Sequence, residues 1–177
     1  MGDDAGHIHF ENPFVTPLEQ REPARRLRGR LASPVTVWTS GTIETPVALT
    51  ISSILIADGD PPFVFGLMNE TTDLWESINT SGAFVVHLLE ERDQGLSDEF
   101  AGLRPSPGGP FSALAVEGSE WGPVLTQWKN RAFCKLSGSE GAGHQRLVRG
   151  EIERIDLDDV DSPLVLYRGR YRSLKPR

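Results

Sequence analysis

From Val35 onward the chain reads as short β-branched and aromatic runs cut by turn signals, which is the signature of strands rather than helices. Val35-Thr36-Val37-Trp38-Thr39 ends at Ser40-Gly41. Residues 46–56 (PVALTISSILI) predict one long strand, stopped by the turn cluster Asp58-Gly59-Asp60-Pro61-Pro62. Residues 63–68 (FVFGLM) predict a third strand and residues 84–89 (FVVHLL) a fourth. Between them, Asp73 to Thr80 reads as a short helix, with Asn69, Thr71 and Thr72 as capping residues before it and Gly82 after it. A second short helix is predicted over 93–101, and further strands near 131–136, 146–155 and 164–168.

Two segments lack this rhythm. Residues 1–23 are polar and broken by Pro13, Pro17 and Pro23, which predicts a tail before a single domain over 24–177. Residues 102–123 are rich in Gly and Pro and predict a long loop, a length that in a compact domain is commonly functional. Arg21 to Arg30 carries five arginines and reads as a short amphipathic helix or a solvated charged face. Six or seven strands with two or three small helices predict a mainly β fold. The arrangement expected is an antiparallel sheet closed as a barrel, because the helices are too few and too short for regular βαβ crossovers.

Composition narrows the class without changing it. The chain has 177 residues, 38% of them hydrophobic and 24% charged, enough for one core without disulfides. A formal charge of −7 argues against a nucleic-acid sleeve or an anionic-membrane reader. No apolar run reaches the ~18 residues of a bilayer span, and the acidic amino terminus has no signal-like apolar stretch, so the expectation is a cytoplasmic protein. Cys134 stands alone, which leaves no CxxC site and no intrachain disulfide.

The most informative chemistry lies in Thr50-Ile51-Ser52-Ser53. On an unbroken strand, Thr50 and Ser52 share a face with Ala48 and Ile54, and Ser53 takes the other. Small hydroxyl residues let a ligand approach the backbone and donate to phosphate or ring oxygens; the alternatives are a bulge, or hydroxyls bonded to neighbouring backbone. His7 and His9 lie among acids but without a third or fourth ligand at metal spacing, so no metal site is expected. His87, within a strand, reads as a satisfied core or interface histidine, and Cys134 as a small buried hydrophobe. Trp38 and Trp75 suit a core; Trp121 and Trp128 flank the long loop, where they could cover a flat ligand. No Rossmann, Walker A, HExxH or GxSxG pattern is present.

The ordered set VTVWT (35–39), LTISS (49–53), DPPFVF (60–65), LMN (67–69), SGAFVVHLL (81–89), LSDEFA (96–101) and PLVLYRGRY (163–171) resembles the flavin reductase domain family, the FMN-binding split barrels of two-component monooxygenases. The resemblance spans about residues 24–174. It implies a homodimer of six-stranded Greek-key split barrels, with FMN, or FAD, bound near the subunit interface. By position, Thr50, Ser52 and Ser53 would hold the phosphate or ribityl chain, Pro34 and Val35 would lie beside the ring, and Asn69 would be a further contact. Thr71 and Thr72 could donate at the helix start, although Glu70 and Asp73 already place negative charge there. Phe100 and Tyr171 fall where the family packs aromatics near the flavin, and both are equally suited to a core. The family commonly has Gly-Asp-His where this chain has Ala142-Gly143-His144, so His144 is a candidate nicotinamide positioner without the carboxylate that would fix its tautomer.

The function so implied is hydride transfer from NAD(P)H to flavin, with reduced flavin passed to a monooxygenase and residues 102–123 gating the nicotinamide. An FMN-binding relay without NAD(P)H turnover, a barrel for deazaflavin or haem, and a ligand-free scaffold are the alternatives.

Overall fold

The computed structural model describes residues 23–160 and 162–174. The expected tail therefore lies outside the described residues, except for Pro23, as do His7 and His9. Pro23 opens helix α1 (Pro23–Arg28), where its fixed φ and missing N–H suit a first turn. The elements that follow are β1 (Ser33–Pro34), β2 (Thr36–Gly41), β3 (Pro46–Ile51), β4 (Ile54–Ala57), β5 (Phe63–Met68), α2 (Asp73–Ser81), β6 (Ala83–Leu88), a 3-10 turn (Glu91–Asp93) and α3 (Gln94–Phe100). After α3 come β7 (Val116–Ser119), β8 (Gly122–Leu125), β9 (Arg131–Ala142), β10 (Gln145–Asp156), β11 (Val165–Tyr167) and β12 (Arg170–Arg172).

The fold is mainly β and antiparallel, as expected, but its main sheet is not a six-stranded closed barrel. Seven strands run in the order β3-β2-β6-β9-β10-β5-β4, and no ladder joins the two outer strands. Those outer strands are consecutive in sequence, separated only by Ser52-Ser53, so the sheet must curl until its edges meet at two residues. The expected strand over 46–56 is thus broken in the middle. Val47, Leu49 and Ile51 face the main core from β3, whereas Ile54 faces it from β4. Inward positions are odd before the break and even after it, a phase slip of the kind a bulge produces. Thr50 consequently shares its face with Ala48 and not with Ile54. Ala48 packs into a second cluster beneath α3.

Inside the curl, Trp38 of β2 stacks on Phe84 of β6 at 4.7 Å between ring centroids. Each ring rests against a glycine of the far wall, Gly66 on β5 and Gly150 on β10, where a Cβ would overlap the ring. Helix α2 closes one end, burying Leu74 and Ile78 in the same core. Thr72 caps its start and Gly82, at φ 72°, its end.

A second core joins Val35, Val37, Leu89, Phe100, Leu125, Trp128 and Leu164 outside the sheet. The expected long loop contributes to it. Phe111 and Leu114 pack inward from this loop, and from Val116 it becomes the first strand and turn of the β7–β8 hairpin. Glycine and proline hide β8 from a propensity reading. It forms because Thr39 donates to the Pro123 carbonyl at 2.5 Å and the Leu125 amide donates to His87 at 3.1 Å. No helix of the described residues is long and apolar enough to cross a membrane.

Candidate functional site

The break between β3 and β4 places Ser52 and Ser53 on the wall of the curled sheet, both half-buried. The Ser53 carbonyl accepts the Leu67 amide at 3.0 Å, which sets the two serines beside the end of β5 and hence beside Asn69. Among the described residues, neither serine hydroxyl has a hydrogen-bond partner. Two small donors left over on a partly buried wall are what an oxygen-rich ligand needs, and the phosphate and ribityl hydroxyls of FMN fit that donor set.

The other expected residues are largely engaged within the protein. Thr50 Oγ1 donates to the Ser97 carbonyl at 2.7 Å, which ties β3 to α3. Asn69 Oδ1 accepts from the Thr71 amide at 3.0 Å and the Thr71 hydroxyl at 3.1 Å. The Thr72 hydroxyl donates to the Asn69 carbonyl and accepts from the Trp75 amide, so it caps α2 and is no free donor. Asn69 keeps its amide N–H groups without a partner among the described residues.

Val35 and Phe100 are buried in the second core, Phe100 edge-on to Phe111 and Trp128. Pro34 is exposed beside Val35. Tyr171 packs against that core with its hydroxyl 2.6 Å from Asp98 Oδ1 and 2.9 Å from Ser97 Oγ. A phenol has one proton; the shorter contact takes it, and the Ser97 hydroxyl donates back. Burial, then the Asp98 bond, pushes the Tyr171 pKa up to about 12. Thr50, Ser97, Asp98 and Tyr171 thus form one polar chain linking β3, α3 and β12, while His144 lies apart. It is exposed in the two-residue turn joining β9 to β10, after Gly143 at φ 62°.

The acids at the α2 start have a counter-charge that the sequence did not point to. Arg146 Nη2 lies 3.1 Å from Glu70 Oε2, Nη1 donates to Ser139 Oγ at 3.2 Å, and the guanidinium covers Trp75 at 5.0 Å. A pairing of positions 70 and 146 depends on the β5–β10 register, in which Arg146 opposes Met68.

His87 is buried and neutral. Its Nδ1 lies 3.2 Å from the Val37 carbonyl, so it carries the proton, and Nε2 accepts the Leu125 amide. Burial pushes its pKa down to about 3, the Val37 bond offsetting only part of the shift. Cys134 is buried, and burial raises its thiol pKa. Trp128 lies within the second core, and Trp121 Nε1 donates to Glu153 at 2.7 Å. No cluster of three metal-ligating side chains occurs among the described residues.

A concavity of about 240 Å³ is lined by Phe65, Gly138, Ser139, Glu140, Leu147 and Arg149, and includes none of Thr50, Ser52 or Ser53. The size of that opening does not outweigh the unused donors at the strand break, because its side-chain donors, Ser139 and Arg149, are already bonded within the chain.

The flavin reductase like domain family matches residues 28–175. The chain belongs to this family. Among relatives of this flavin reductase-like domain, an NADH-dependent FMN reductase, AsuE2, of Streptomyces nodosus subsp. asukaensis is 30% identical over 158 residues, covering 88% of this chain and 85% of the relative. The reductase component of 4-hydroxyphenylacetate 3-monooxygenase from Thermus thermophilus is 29% identical over 154 residues, 87% of this chain and 97% of the relative. The solved structure of nitrilotriacetate monooxygenase component B from Mycobacterium thermoresistibile superposes with a TM-score of 0.77 at 26% identity over 86% of each chain.

Proposed function

We propose that this chain is an NAD(P)H-dependent flavin reductase that uses FMN, with FAD as the other candidate flavin, and supplies reduced flavin to a partner monooxygenase. The observation that carries the reading is the pair of unused hydroxyls, Ser52 and Ser53, at the strand break. They stand within a domain that the flavin reductase family matches across residues 28–175. The relatives named above as an FMN reductase and a monooxygenase reductase component support the same activity.

Ser52 and Ser53 donate to the phosphate or ribityl oxygens, joined by the free amide of Asn69. Thr50 fixes the wall by holding α3, and Tyr171 and Phe100 pack behind it. Pro34 and Val35 border the ring. Thr72 contributes by capping α2, and His144, on the hairpin tip, is the positioner available to a nicotinamide. The flavin, when bound, supplies the hydride chemistry, accepting hydride from the nicotinamide. The chain binds and orients the two rings and needs no general acid or base.

In this reading the site is completed at the interface of a homodimer. In this reading the curled sheet is the split barrel of the family, residues 24–177 act as one domain after a short tail, and the protein is cytoplasmic.

Steady-state NADH and NADPH consumption with FMN and FAD, together with the solution mass, tests the proposal. Flavin-dependent turnover by a dimer supports it. Tight FMN binding with neither nucleotide oxidised would leave the relay reading instead.

A further inference from the structure

We propose that Glu70 and Arg146 form a charge latch at the phosphate end of the flavin site, in which Glu70 competes with the phosphate for the arginine and so weakens FMN binding. The inference rests on the flavin site proposed above and concerns how that site treats the anionic end of its ligand.

The placement follows from the ladders. Leu67 bonds Ser53 on one side of β5, and Met68 opposes Arg146 on the other, so the serines, Asn69 and Arg146 stand at one end of β4, β5 and β10. The backbone amides at the α2 start are not all free for an anion. Asn69 Oδ1 takes the Thr71 amide, and the Thr72 hydroxyl takes the Trp75 amide. A phosphate arriving here would therefore look to the guanidinium.

That guanidinium is held in place. It lies over Trp75, donates to Ser139, and its side chain is only 26% exposed, whereas the Glu70 side chain is 62% exposed. Its Nε is buried with no partner, a charged donor the protein leaves unsatisfied. The arginine is thus the fixed half of the pair and Glu70 the half free to move. An exposed ion pair holds weakly, and a phosphate dianion offers the planar fork more oxygens and more charge than one carboxylate. Phosphate can displace Glu70, at a cost that lowers its net affinity. Asp73, in the first turn of α2, adds further negative charge nearby.

The test compares FMN with riboflavin, which has the same ring and ribityl chain without the phosphate, on the full-length protein, by quenching of flavin fluorescence. Glu70→Gln should tighten FMN by about threefold to tenfold and leave riboflavin within about twofold. Arg146→Gln should weaken FMN by about tenfold or more, again with riboflavin little changed. Because Arg146 packs on Trp75, its variant could misfold; the exposed Glu70→Gln then carries the test alone. An FMN-to-riboflavin affinity ratio unchanged by Glu70→Gln overturns the latch while leaving the flavin site intact. Binding of neither flavin by the unaltered protein would overturn both.

Discussion

The Trp38 indole presses on the backbone of Gly66 across the interior of the curled sheet, so closely that a Cβ on that glycine would stand 2.6 Å from Trp38 Cη2. β2 and β5 lie four places apart in the hydrogen-bonded order, and this contact is what closes the curl. The ring is fully buried and stacked on Phe84, so it has nowhere to retreat. Gly66→Ala should therefore destabilise the protein by about 1–3 kcal/mol through overpacking. Gly118→Ala, where no atom lies within 4 Å of the new methyl, should not. Chemical denaturation of the two variants checks the contrast.

His87 gives the fold a pH dependence of defined sign. Its folded pKa of about 3 lies below the ordinary 6.5, so between these values the unfolded chain binds a proton that the folded chain refuses. Stability contributed by this residue is thus unaffected above about pH 6.5 and falls as pH drops, by about 1.4 kcal/mol per unit. Denaturation midpoints at about pH 7.5 and 5 should differ by an amount equivalent to about 2 kcal/mol. His87→Gln should flatten that slope while lowering stability at both pH values, since it loses the fixed bonds to Val37 and Leu125.

Tyr171 should titrate late. Burial together with the Asp98 bond holds the Tyr171 pKa at about 12. Ultraviolet titration should show a phenol ionising well above the ordinary value of 10, and Tyr171→Phe should remove that late step. The same variant leaves Asp98 and Ser97 without their partner and should cost about 1–2 kcal/mol of stability.

What the sequence revealed, and what it hid, divides along a physical line. Strong local signals were legible: residues 63–68 and the helix starting at Asp73 stand where the alternation and the capping residues put them. The break at Ser52-Ser53 was legible only as one alternative, a bulge, because the run from Pro46 to Ile56 looks continuous and only the packing of Ile51 and Ile54 on one core exposes the phase slip. The β7–β8 hairpin stayed hidden for the opposite reason: its residues have poor strand propensity and are recruited by Thr39 and His87 from elsewhere in the chain. At the site, the hydroxyl-rich segment stood out by composition. That Thr50 and Thr72 spend their hydroxyls inside the protein, and that Arg146 balances Glu70, depends on long-range register, which no single sequence displays.

The two serines should separate cleanly from this scaffold. Each is half-buried with an unbonded hydroxyl among the described residues, so Ser52→Ala and Ser53→Ala should change stability by no more than about 0.5 kcal/mol. Each should weaken FMN by about threefold to tenfold, the value of one lost neutral hydrogen bond. Thr50→Ala should behave differently, losing stability because the Ser97 carbonyl loses its donor. Thermal unfolding and FMN titration on the three variants separate ligand-directed hydroxyls from structural ones.

The central claim is that a flavin bound at Ser52 and Ser53 takes hydride from a nicotinamide on this chain. The direct measurement is the visible spectrum of the protein with FMN under anaerobic conditions, before and after NADH or NADPH is added. Flavin bands that bleach, and bleach more slowly at limiting FMN in the Ser52→Ala/Ser53→Ala double variant, are the predicted result. Bands that persist with both nucleotides, or bleaching indifferent to the two serines, would contradict it.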